Sequence, residues 1–258
     1  MAQWTASTLT EEGHRLNMER LQKLWSRLHR GDAEPWPEEP ALQNAWLAFH
    51  NGEFQRATEA GLALGDAGLN VANKATSIYA NYLEPREQAR HDLLLEAASR
   101  AEAFQRRQPE NPGAWFWQAY PLGRYIQSIS VTKALTQGLG SRVKASLEAA
   151  IERCPQHADA HLALATFHAE VIDKVGPVVG RMTYGANKAE GLAMYQLALA
   201  LNPDAITSLT EYANGLLMLE GVDAMPEANR LLDRVASIEP LDETERLYVA
   251  SARVGLEG

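Results

Sequence analysis

Apolar residues recur every three or four positions along most of this chain, and strict alternation is absent, so the pattern predicts helices throughout and no strands. Leu16, Leu21, Leu24, Trp25 and Leu28 make the apolar stripe of a first amphipathic helix, predicted over Leu9–His29. Thr8 or Thr10 would cap it, Glu11 and Glu12 would favour its positive end, and Gly31 would end it. Residues 31–40 read as a stiff linker, because three prolines and several acidic residues resist helix formation. From Ala41 the helices pair. Predicted segments are Ala41–Asn51, a partner helix packing through Phe54, Ala57 and Gly61, then Ala67–Tyr82 and Arg86–Arg107. They continue as Pro112–Tyr125, Gly140–Arg153, Ala158–Ile172, Ala186–Leu201, Ala205–Leu219 and Pro226–Ser237. A last helix, Asp242–Val254, is expected to cap the stack with a polar outer face. The chain thus divides into an N-terminal amphipathic helix (1–30), a Pro/acidic linker (31–40) and a helical repeat domain (41–258).

Four prolines set the register of that domain. At 12, 8 and 5 residues before them stand Ala97, Ala101 and Phe104; Val143, Leu147 and Ala150; Gly191, Tyr195 and Ala198; and Ala228, Leu232 and Val235. Ten residues after Pro109, Pro155, Pro203 and Pro240 stands alanine each time: Ala119, Ala165, Ala213 and Ala250. A small residue there lets antiparallel helices approach closely, and the proline separates one pair from the next. The segment Asn51-Gly-Glu-Phe-Gln-Arg-Ala matches the turn of such a hairpin. The pattern resembles the tetratricopeptide repeat, which implies an all-α array of helical hairpins wound into a right-handed superhelix.

The proline spacings are 46, 48 and 37 residues, against 34 in the standard unit. The additions fall between the helices of each pair, near Gln127–Gly138, Asp173–Ala186 and Glu220–Met225. The two long ones should project from one edge and be neighbours in space, and long loops in compact arrays tend to carry function. Their placement, with the runs Ala114-Trp-Phe-Trp-Gln-Ala-Tyr and His157-Ala-Asp-Ala-His-Leu-Ala-Leu-Ala, resembles the repeat region of the regulator-of-microtubule-dynamics family. Bacterial tetratricopeptide subunits of tripartite solute transporters share a similar layout. The likeness spans roughly residues 112–220 and implies a non-catalytic, partner-binding protein. The transporter subunits are exported lipoproteins; with no export signal or lipobox cysteine visible, no transport role is carried over.

Composition narrows this further. Hydrophobic residues at 46% and charged residues at 22% describe a folded globular chain, and no apolar run approaches membrane-span length. A net charge of −9 argues against nucleic acid as a partner. Residues 1–30 nevertheless carry +2, leaving −11 on the remainder, so the basic leading helix could dock on its own body. The single Cys154 excludes an internal disulfide and, with no signal sequence visible, points to the cytoplasm.

Phe116, Tyr120 and Arg124, then Thr166 and Glu170, then Thr210 and Asn214 fall where the concave face of the resembling repeat is expected. Together they would make a groove for a protein or peptide segment. Pro121 should kink or end its helix early, and Trp115 should be core. The second insertion offers Val175, Val179, Arg181, Met182 and Tyr184 as a loop contact. Phe116, Leu162 and Thr210 stand where a lysine clamp for C-terminal carboxylates would need a Lys, which excludes that function. His157, His161 and His168 share a helix face within about 40°. Their packing positions and the lack of a third acidic ligand favour structural roles over metal. No catalytic motif or cofactor-binding fingerprint is present, and acidic pairs such as Asp242/Glu243 sit at helix starts, where the dipole explains them. The leading expectation is a non-catalytic scaffold that binds a protein or peptide through its concave face and long loops. A small-molecule or lipid site covered by the insertions is the alternative. Self-assembly as a homo-oligomer through Val175, Val178, Val179 and Met182 is the third.

Overall fold

The computed structural model describes residues 4–5 and 15–257, with side chains through Arg253. Among these residues every regular element is helical. In order they are α1 (Met18–Leu28), α2 (Pro40–His50), α3 (Phe54–Ala63), α4 (Leu69–Tyr82), α5 (Glu87–Arg107), α6 (Pro112–Gln127) and α7 (Val131–Thr136). There follow α8 (Leu139–Arg153), α9 (Ala158–Val175), α10 (Pro177–Tyr184), α11 (Lys188–Leu201), α12 (Ile206–Glu220), α13 (Met225–Ser237) and α14 (Glu243–Glu257). Short 3-10 turns at Gly65–Gly68 and Gly221–Ala224 complete the set. α5, α8 and α11 each end two residues before a register proline, because a residue preceding proline is pushed out of the helical region.

Successive long helices pack on one another from α2 to α6, then through α8, α9, α11, α12 and α13 to α14. The register residues carry this packing. Ala97, Ala101, Ala150, Ala165, Ala198, Ala213 and Ala228 have no exposed surface, and Ala119 is buried with them; Ala250 is half-buried. Three apolar clusters result. One joins α1–α4 around Trp25, Trp46, Phe49 and Tyr79. One joins α5, α6, α8 and α9 around Trp117, Leu147 and Leu164, and one joins α9 and α11–α14 around Tyr195, Leu209 and Leu231.

Several expectations need correction. The first helix begins at Met18, not Leu9, since Asn17 caps it by accepting the Arg20 amide at 2.9 Å. It ends at Leu28 with His29 as its cap, before Gly31. The proposed caps Thr8 and Thr10, and Glu11 and Glu12, lie outside the described residues. Pro121 does not end its helix: α6 continues to Gln127, with Pro121 buried and helical packing overriding the lost backbone donor. Trp115 is half-buried, its indole donating to the Pro109 carbonyl and its ring covered by the Arg153 guanidinium. The long insertions are not open loops, since each folds a short helix, α7 and α10. α14 is not a simple polar-faced cap; its first turn turns polar residues inward, with Asp242, Glu243, Thr244 and Glu245 all buried.

Gly215 in α12 marks a close approach to α11. A Cβ there would fall 2.4 Å from the Tyr195 ring, which itself stacks on Tyr212 at 5.1 Å. Gly215→Ala should therefore destabilise the fold by about 1–3 kcal/mol in urea unfolding, because overpacking against a fixed ring outweighs the better helix propensity. An unchanged midpoint would show that this approach is not tight.

Candidate functional site

Helices α6, α8 and α9 line a partly open chamber of about 300 Å³. α9 runs its length with one stripe of residues, Asp159, Leu162, Ala163, Thr166, Phe167, Glu170, Val171, Lys174 and Val175. This helical period of three and four extends about 24 Å at 1.5 Å per residue. The stripe has two rows. Ala163, Phe167, Val171 and Val175 face an apolar lobe shared with Phe116, Gly123 and Ile126 of α6 and Val143 and Leu147 of α8. Both insertions close this lobe: Ile129, Val131 and Ala134 from the first, Val175 and Tyr184 from the second. Tyr184 also lies against Gly140 at the start of α8.

The other row, Asp159, Thr166, Glu170 and Lys174, faces a polar lobe. Here Arg124 donates to Glu211 at 2.8 Å and to Gln127 at 3.1 Å, and Gln127 donates to Glu170. The chain's N-terminal segment closes this lobe, because Arg27, Leu28 and Gly31 are part of its wall. Arg27 reaches across to α14 and bonds Glu245 at 2.9 Å, and the Asp159 amide donates to the Gly31 carbonyl at 3.0 Å. A Cβ on Gly31 would sit 2.4 Å from the Asp159 carboxylate, so only glycine fits.

Behind this wall runs a buried relay. Lys74 Nζ donates to Asp32 at 2.6 Å, and Asp32 accepts from His29 Nδ1 at 2.8 Å. His29 Nε2 meets His50 Nε2 at 3.0 Å, and His50 Nδ1 donates to Asp242 at 2.6 Å. Each Nδ1 faces a carboxylate that accepts from it, and the two facing Nε2 atoms need one proton between them. Burial pushes the His29 pKa down to about 4, against the pull of Asp32, so His29 supplies the accepting Nε2. Burial opposes ionisation of Asp32, but His29 and Lys74 outweigh it and hold that carboxyl well below its usual range. The same contest at Asp242 ends with its carboxyl lowered, mainly through the His50 hydrogen bond. Lys74 is likewise held above the ordinary lysine value by Asp32 despite burial. Trp25 stacks on His29 at 3.8 Å and Trp46 meets it edge-on at 4.7 Å, which excludes water from the relay.

No protein-family model matches this chain, and no curated protein matches it. The site is therefore read from its own chemistry.

Of the residues expected on the concave face, Phe116, Tyr120, Arg124, Thr166 and Glu170 line the chamber. Thr210 and Asn214 border a second cleft of about 290 Å³ that shares Arg124 and Glu211 with it. The geometry differs from an open groove, since Phe116 is buried and Arg124 is ion-paired. The loop set divides. Val175 and Tyr184 face the chamber, whereas Val179, Arg181 and Met182 point outward with Met182 84% exposed. His157 caps α9 by accepting the Ala160 amide, His161 faces the Pro155 carbonyl, and His168 accepts the Asn187 amide. Among the described residues no cluster could hold a metal ion.

The sequence reading missed His29, Asp32, His50, Lys74, Asp159 and Asp242. Lys74 carried a signal, as the one charged residue of α4 amid small and apolar neighbours. Asp242 is more than a dipole partner, because its carboxylate both caps α14 and accepts from His50.

Asp159 differs from the other acids around the chamber in having no side-chain hydrogen bond among the described residues. Burial, then the nearby Asp32 charge, push its pKa up to about 7, with Lys74 opposing. A raised carboxyl binds more protons in the folded state, so stability falls as pH rises from near 4 through about 7. Asp159→Asn should remove that slope. The variant should match the wild type below pH ~4 and exceed it by about 2–4 kcal/mol above pH ~7. Urea unfolding across that range checks this, and a parallel pair of curves would refute it.

Proposed function

We propose that this protein is a non-catalytic receptor for a small amphipathic molecule, held in the chamber between α6, α8 and α9 under the two insertions. The scaffold is read as a tetratricopeptide-like superhelix of helical hairpins, supported by the register prolines, the buried alanines and the sequential packing of helices. The observation that carries the function is a single cavity lined by an apolar row of α9 on one side and a polar row on the other. Its volume of about 300 Å³ is at the lower end of small-molecule sites, and such sites combine an apolar lining with a few placed polar groups. This favours the small-molecule alternative over the peptide groove, because the concave residues expected to meet a peptide instead face a space closed by the N-terminal segment. Both nitrogens of His29 and of His50 are engaged, so neither ring is a free base directed at a ligand.

Gly123 offers a direct test. It lines the apolar lobe, and a Cβ added there meets nothing within 4 Å. Gly123→Phe should fill the lobe without disturbing the backbone, keeping or raising the melting temperature. An uncharged fluorescent probe such as N-phenyl-1-naphthylamine should bind the wild type, with roughly tenfold or weaker binding to the variant, a loss of about 1.4 kcal/mol or more. Equal binding to both proteins would overturn the proposal.

A further inference from the structure

Charges around the polar lobe nearly cancel, and the exception identifies the ligand's head group. Lys74 is matched by Asp32, Arg124 by Glu211, Arg27 by Glu245, and Lys174 lies 3.8 Å from Glu170. Asp242 is matched by His50. Among the described residues Asp159 alone of the lining acids has no side-chain hydrogen bond or ion pair, and Lys74 acts on it only from a distance.

Its setting excludes the ordinary explanation of an acid in the first turn of a helix. Such a residue usually accepts free backbone N–H groups or points to solvent, relieving the helix dipole. Here His157 takes the capping bond to the Ala160 amide, and the Asp159 carboxylate lies against Gly31 in the chamber wall. The cations of the wall are already neutralised, whereas the unmet group is an anionic carboxylate. A ligand with one positive charge satisfies it; an anionic head would meet Asp159 as a like charge.

Resting on the small-molecule reading above, we infer that the chamber is built for an amphiphile with an ammonium head group, with Asp159 as its counter-ion. The apolar tail lies in the lobe under α7 and α10. Phe116 and Tyr120, which also line the chamber, add aromatic surface of the kind that favours an organic cation. The unpaired carboxylate lowers the stability of the empty protein and becomes favourable when the ammonium arrives.

Three probes of equal tail length separate the possibilities: decylamine, decanol and decanoate, titrated calorimetrically at mildly alkaline pH. The wild type should bind decylamine roughly tenfold or more tightly than decanol, the size expected of a hydrogen bond to a charged group, with decanoate weakest. Asp159→Asn should bring decylamine close to decanol while leaving decanol unchanged. Because that variant is expected to be at least as stable as the wild type, lost binding would not reflect unfolding. Decanol binding without any preference for the amine, a preference for decanoate, or an amine preference surviving in Asp159→Asn would overturn the head-group assignment alone. Failure of all three probes to bind would overturn the chamber reading and this inference together.

Discussion

The Lys74–Asp32–His29–His50–Asp242 relay is the interaction on which the rest of this structure depends. Each member is buried, so none can fall back on water, and removal of one strands a charge or polar group on the next. Breaking a buried ion pair by deleting one partner commonly costs about 3–5 kcal/mol. The five residues come from four places: the segment after α1, the end of α2, the middle of α4 and the turn before α14. In an open array of hairpins each unit touches only its neighbours. Here the relay, with the Arg27–Glu245 pair, ties the leading helix to the last one and converts an inner face into a chamber.

That closure explains why the site has two characters. Two insertions, folded as α7 and α10, roof an apolar lobe, and the N-terminal segment walls a polar one. Gly31 lets that wall approach the Asp159 carboxylate closely. The result is a half-buried carboxylate without an ion-pair partner among the described residues, an arrangement that lowers stability unless a ligand completes it. Local cost of this kind is a recurring property of binding sites, and it separates Asp159 from the other acids of the chamber, each of which has a partner of its own.

The helices were legible because they rest on periodicity and on prolines, which act locally. Register alanines predicted close packing, and the spacings of 46 and 48 residues located the insertions that cover the chamber. Phe116, Tyr120, Arg124, Thr166 and Glu170, read from helical spacing, line one chamber, whereas Thr210 and Asn214 border the second cleft. The relay was not legible. His50 and Asp242 are 192 residues apart, and no local rule joins them. Gly31 read as a helix stop because its actual role, contact with Asp159, is tertiary. Pro121 misled for the same reason: burial within packed helices overrode a local preference. No helix among the described residues is long and apolar enough to cross a membrane, in keeping with the composition.

Native-state hydrogen exchange on His50→Ala, compared with the wild type, tests the central claim most directly. The variant removes the ring joining His29 to Asp242. The account predicts that amide protection falls together at Ala33, Asp159, Glu245 and Arg246, whose bonds join the N-terminal segment, α9 and the start of α14, while the interiors of α6 and α8 keep theirs. Unchanged protection at Ala33 and Asp159, or an even loss across all helices, would contradict a relay that specifically closes the chamber.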